Sequence, residues 1–205
     1  MVRSKNYLLA ASIALMSFLP TVAHADAALS VDTGSLGVPA SGSNHGWSFN
    51  VIQSILVTDL GLYDEGSDGF IADHEIGIFD ATSGSLLVSG TVNAGTGNVL
   101  DGNFRYVDVA NTWLNPGTDY VLGFYSAGSG EDQVIIDPVS VMFAPEVNYL
   151  ESRWNVSGGF DMPGNSAGND YRIGPNFRFS TIPEPASASL LAVGAFVVAS
   201  RRRRR

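Results

Sequence analysis

Between residues 26 and 181 the chain alternates short apolar runs with clusters of Gly, Asn, Asp and Ser, and no helical period is sustained over ten residues. A helix must show an apolar stripe every third or fourth residue, whereas a strand repeats every second residue, so this pattern points to strands. It predicts strands at 29–32, 46–52, 55–63, 75–80, 86–92, 104–109, 120–126, 133–136, 148–151 and 176–181. Tyr120, Leu122 and Phe124 then share one face, and Val121, Gly123 and Tyr125 the other. Phe177 and Phe179 likewise oppose Asn176, Arg178 and Ser180. Strands spaced about 8 to 14 residues apart with turn residues between them predict an all-β fold, an antiparallel β-sandwich or jelly-roll-like single domain. Asn115-Pro116-Gly117 supplies one such turn, with proline fixing its second position and glycine relaxing the next.

The two ends follow different rules. Arg3 and Lys5 form a positive head, residues 7–19 are apolar and uncharged, and Ala23-His24-Ala25 is a small-x-small site. This is the three-part Sec-type secretory signal, with signal peptidase cutting between Ala25 and Asp26. At the other end Pro183-Glu184-Pro185 precedes the uncharged run 186–200, and Arg201, Arg202, Arg203, Arg204 and Arg205 close the sequence. The run is shorter than the ~20 residues of a comfortable membrane span. Arginine stems can snorkel to make up the difference, and the positive-inside rule keeps that terminus cytoplasmic. The chain therefore divides into a signal helix at 1–25, a sandwich ectodomain at 26–182 and a sorting and anchor segment at 183–205 with a short transmembrane helix.

Taken together, Pro183-Glu184-Pro185, the apolar run and the terminal arginines resemble the PEP-CTERM sorting signal. That resemblance implies an exosortase in the inner membrane of a Gram-negative bacterium as a partner. It also implies a transient membrane-tethered intermediate and a final place at the cell surface or outside, usually alongside exopolysaccharide and biofilm production. A second resemblance lies in the body. Leu60-Gly61-Leu62-Tyr63-Asp64, Asp68-Gly69, residues 74–80 and residues 114–122 are similar to a β-sandwich domain of secreted bacterial proteins, the DUF4082 type. It implies the sandwich and carries no activity to transfer.

Without its ends the body holds four basic residues, Arg105, Arg153, Arg172 and Arg178, against nineteen acids, a formal charge of −15 where the whole chain has −9. Such a surface repels nucleic acid and anionic membrane and favours solubility. The sequence has no cysteine, so an exported body must be held by its core rather than by disulfides, and cysteine nucleophiles and cysteine metal sites are excluded. The body's two histidines, His45 and His74, are too few for a histidine-rich metal site.

Three candidate sites follow. Residues 64–75 space Asp64, Asp68, Gly69 and Glu75 as positions 1, 5, 6 and 12 of a calcium loop. Gly66 stands where a further ligand is expected, and the flanks read as strands. The loop is thus either a calcium site built on Asp64, Asp68 and Glu75, or a solvated acidic hairpin with Asp68-Gly69 as its turn. Calcium is the one cofactor this pattern suggests. Trp47 shares parity with Phe49 and Val51 and reads as core, while Trp154, beside Arg153, is the candidate for stacking on a sugar ring. The Gly-, Asn- and Ser-rich loops at 93–103 and 157–170 read as slack. His74 reads as a surface or turn histidine.

No His-Glu-x-x-His motif occurs. A glycosidase needs only two carboxylates, and nineteen acids make chance pairs inevitable. The sequence thus predicts an exported, non-catalytic surface or extracellular-matrix protein. A carbohydrate-binding module with a calcium-stabilised loop is the alternative, and a glycan hydrolase a weaker one.

Overall fold

The computed structural model describes residues 25–32, 34–37, 39, 41–127, 134–138, 140–168 and 173–181. The signal helix and the transmembrane helix expected at the two ends fall outside them, as do Pro183, Glu184 and Pro185. Among the described residues no helix is long and apolar enough to cross a membrane.

In chain order the strands are β1 (Asp26–Ala27), β2 (Leu29–Val31), β3 (Gly34–Gly37), β4 (Ser43–Val51), β5 (Ile55–Tyr63), β6 (His74–Asp80), β7 (Leu86–Val92), β8 (Val99–Asp101), β9 (Phe104–Leu114), β10 (Asp119–Ser126), β11 (Val134–Pro138), β12 (Val141–Phe143), β13 (Val147–Val156), β14 (Asn165–Ser166) and β15 (Pro175–Thr181). They form a five-stranded sheet, β1-β15-β5-β9-β8, and a six-stranded sheet, β14-β13-β4-β10-β6-β7, with two small pairs, β11-β3 and β12-β2. The pairings are antiparallel. The all-β, sandwich-like single domain expected from the alternation is what the chain adopts.

The core is built by the residues whose parity predicted it. Trp47, Phe49, Phe177 and Phe179 are fully buried. Phe177 stacks 6.0 Å from Trp47 and lies 5.1 Å from Phe49, so β15 and β4 meet ring to ring across the two sheets. Burying each phenylalanine stabilises the fold by about 1.5–3 kcal/mol. The indole N–H of Trp47 donates to the carbonyl of Pro175 at 2.8 Å, which meets the one polar need of that buried side chain.

Several expectations are corrected. β9 continues to Leu114 and β13 to Val156, well past the predicted 109 and 151, because polar residues on the open face of a sheet interrupt an apolar pattern without ending a strand. The strands β1, β3, β8, β12 and β14 are too short to show periodicity at all. Val121, placed by parity on the face away from the core, is nevertheless buried.

The reason is the loop at 157–164, which is a packed strap and not slack. Gly77 of β6 and Gly123 of β10 are cross-strand partners on the outer face of the six-stranded sheet. A Cβ on Gly123 would come within 2.6 Å of Pro163, and one on Gly77 within 3.1 Å of the Phe160 ring. The missing side chains leave a channel that the strap fills, with Phe160 5.5 Å from Phe79. The buried amide of Asn44 then fastens it. Its Nδ2 donates to Asn155 Oδ1, Ser157 Oγ and the Gly159 carbonyl at 2.8–3.0 Å, and its Oδ1 accepts from the Asp161 N–H at 3.0 Å.

Candidate functional site

The acidic loop leaves β5 at Asp64 and returns at β6. Its first turn is a short 3-10 segment, Glu65–Ser67, with positive φ at Gly66, Ser67 and Gly69. Asp64 is buried, while Asp68 and Glu75 are exposed to solvent. The Asp64 carboxylate does not face an open site. Its Oδ2 accepts from Arg105 Nε at 2.5 Å and its Oδ1 from the Gly69 N–H at 3.1 Å.

Arg105, on β9, is buried too. Its remaining N–H groups donate to the carbonyls of Ser67, Thr96 and Asn98 at 3.0–3.1 Å. One guanidinium is thus ringed by a carboxylate and three carbonyl oxygens, the kind of oxygen-rich surroundings that calcium also favours. The arginine binds the 64–69 turn to the 93–98 loop. Two further contacts follow the same seam: Gly95 N–H donates to the Phe70 carbonyl at 2.6 Å, and Ala94 N–H to Asp73 Oδ1 at 2.8 Å. Like 157–164, the 93–98 segment is pinned.

Asp64 is thus turned to Arg105 and Gly69, while Asp68 and Glu75 stand in solvent. Among the described residues no three His, Asp or Glu side chains are grouped to hold a metal ion. The cation that Asp64 meets is the Arg105 guanidinium, supplied by β9. Sequence reading missed Arg105. Its signal was there: a lone arginine between Phe104 and Tyr106, in a body with only three other basic residues.

His74 is not a surface residue. It opens β6, buried between the rings of Phe70 and Phe124 at 5.1 and 6.2 Å. Nδ1 lies 3.2 Å from the Tyr125 carbonyl, and Nε2 has no hydrogen-bond partner. Ser126 Oγ, also buried, lacks one as well.

Trp154 lies on β13 opposite His45 of β4 and is 38% exposed. The other exposed tryptophan, Trp113, is 45% exposed on β9 of the opposite sheet. The two therefore do not form one stacking platform. A groove of about 180 Å³ runs between residues 27–31 and 101–106, lined by Leu29, Val31, Asp101, Phe104 and Tyr106. It is smaller than the ~300–1,000 Å³ typical of small-molecule sites.

One carboxylate pair does form. Asp59 and Asp108 face each other across β5 and β9, and Arg178 of β15 pairs with Asp59 on its other side. Burial pushes the Asp59 carboxyl up, the neighbouring Asp108 adds to the shift, and Thr58 and Arg178 oppose it.

The termini of the body meet at one edge. β1 pairs with β15, Asp26 opposite Phe179 and Ala27 opposite Arg178. The residues flanking the predicted signal cleavage, Ala25 and Asp26, thus sit beside the last strand. Residues 181–205 match the family described as the PEP-CTERM protein-sorting motif. The match begins on the final residue of β15 and does not reach residues 55–126, where the likeness to the DUF4082 type was drawn. No curated protein matches the sequence. The chain thus carries a PEP-CTERM sorting signal, which marks an exported protein handled by an exosortase through a transient membrane-anchored state.

Proposed function

We propose that this chain is a non-catalytic component of the bacterial cell surface or extracellular matrix. It is exported through the Sec machinery, trimmed by signal peptidase, held briefly in the inner membrane by residues 183–205 and released to its site by an exosortase. The observation that carries this reading is the abutment of the sorting signal on the sandwich, with β15 ending where the match begins. The body is a passenger of that signal. Its most concentrated polar cluster, around Asp64 and Arg105, is spent on joining its own loops. Its charge of −15 suits a hydrated polysaccharide matrix and disfavours nucleic acid as a partner.

Fractionation of cells with and without the exosortase tests the proposal. With the enzyme, a shortened protein is expected outside the inner membrane; without it, a longer form is retained in that membrane. Identical mass and location in both strains would refute the sorting reading.

A second reading, carbohydrate binding, is favoured by Trp154 alone, half exposed at the rim of the six-stranded sheet. Retention on exopolysaccharide that disappears in Trp154→Ala would support it. Equal retention of both proteins, or none, would remove it.

A further inference from the structure

The β-ladder fixes which end of the sandwich each processed terminus leaves from. β15 runs toward Thr181, which pairs with Ile55 at the start of β5. Ile55 pairs in turn with Leu114 at the end of β9. β1 is antiparallel to β15, so the chain preceding Asp26 emerges at this same end. The N-terminal segment is held there by more than two ladder residues. The Ala28 N–H donates to the Phe177 carbonyl at 2.8 Å, and the buried Asn176 amide exchanges hydrogen bonds with both backbone groups of Leu29.

The same end carries the turn between β4 and β5 and the turn between β9 and β10, joined by Ser54 Oγ donating to Asn115 Oδ1 at 2.8 Å. Large apolar side chains stand exposed on it, Leu86 at the start of β7 among them. Ile52 is at the tip of the first turn, 66% exposed, and Trp113 is one residue from the end of β9. Trp113 is opposite Leu56, which is opposite Ser180, so it lies one strand beyond the strand that neighbours the departing tail. Asp119, Glu146 and Asp80 are at this end as well, where Asn50 Nδ2 donates to Asp119 at 3.1 Å and Gln53 Nε2 to Glu146 at 3.3 Å.

We infer that this end of the sandwich rests on the lipid bilayer while the chain is tethered, with Trp113 and Ile52 at headgroup depth. The inference rests on the reading of residues 183–205 as a membrane-inserted sorting tail. From Thr181 to the start of the apolar run at Ala186 is five residues, a reach of at most ~17 Å. So short a tether keeps the tail-proximal end within contact distance of the bilayer. Tryptophan is the side chain best suited to that boundary, with an apolar body and one polar N–H. The acids alongside it limit the contact to the surface, and they make zwitterionic lipid a better partner than anionic lipid.

The opposite end then points outward. Trp154 is opposite His45, six residues along β4 from Val51 and about 20 Å from the membrane end. The Asp64–Arg105 seam follows Tyr63 at that distal end too.

The two exposed tryptophans, at opposite ends, provide the test. The full chain is produced in a host without an exosortase and reconstituted into phosphatidylcholine vesicles containing a lipid brominated near the headgroup. Flotation with the vesicles checks the tail. Bromolipid quenching of fluorescence is expected in the wild type and in Trp154→Phe, and is expected to fall to near background in Trp113→Phe. Quenching that survives Trp113→Phe but vanishes in Trp154→Phe would overturn the orientation. Flotation without quenching of either tryptophan would overturn the contact while leaving the sorting reading intact. Failure to float would overturn both.

Discussion

Arg105 Nε lies 2.5 Å from Asp64 Oδ2, and both side chains are almost wholly withdrawn from solvent. A buried ion pair is a poor source of net stability, because desolvating two charges costs about as much as their attraction returns. Breaking one is costly, since the surviving charge is stranded. Arg105→Met should therefore destabilise the fold by about 3–5 kcal/mol in urea titrations. The double variant Asp64→Asn/Arg105→Met should lose less than the two single variants added together, because it strands no charge. Strict additivity would mean that the pair is not coupled.

The same guanidinium bears on calcium. Asp64 already has both oxygens engaged, and a divalent ion placed beside it would meet a fixed positive charge. Thermal melts in millimolar calcium and in chelator should coincide for the wild type. A midpoint raised by calcium and not by magnesium would show that Asp68 and Glu75 recruit an ion without Asp64.

Two carboxylates should give stability opposite dependences on pH. Asp59 has its folded pKa raised, chiefly by burial and then by Asp108. The folded state thus holds that proton more tightly than the unfolded chain. Its contribution is present below the ordinary carboxylate value and is lost as pH rises through the folded one. Asp80 is lowered, first by the Ser83 backbone N–H and then by the Ser83 hydroxyl. Its contribution is present above the ordinary value and is lost as pH falls. Carboxyl-carbon NMR titrations should find Asp59 titrating above Asp80, with Asp59 moving down in Asp108→Asn. Equal midpoints for the two groups would refute the assignment.

How much of this was legible depends on what each residue needs from its neighbours in sequence. Phe177, Phe179, Trp47 and Phe49 declare a buried face by alternation alone, and they are the core. Asp64 was legible as the first acid of a candidate calcium loop. Its partner was not, because β9 reaches it through a pairing forty residues away that no local spacing encodes. His74 was misplaced for a related reason: a polar residue at a strand's start looks exposed until Phe70 and Phe124 close over it. The tail was the most legible part, since a sorting signal must be read as a linear sequence by the machinery that handles it.

The glycines of the outer sheet face carry the last prediction. Composition marks 157–164 as slack, yet the strap is shaped to Gly77 and Gly123 and fastened by Asn44. Gly123→Val places a branched side chain where Pro163 now sits. Overpacking of that kind costs about 1–3 kcal/mol, and the strap can relieve it only by lifting away. Limited proteolysis should then cut the variant within 157–164 under conditions that leave the wild type intact. Asn44→Ala should produce the same cut by a different route, since it leaves the Asp161 N–H and the Gly159 carbonyl without their amide partner. Gly158→Ala provides the control. Its added Cβ would meet no atom within 4 Å, although its φ of 71° makes the substitution somewhat strained in its own turn. Cleavage in Gly158→Ala but not in Gly123→Val would place the fastening in the turn and not in the glycine channel.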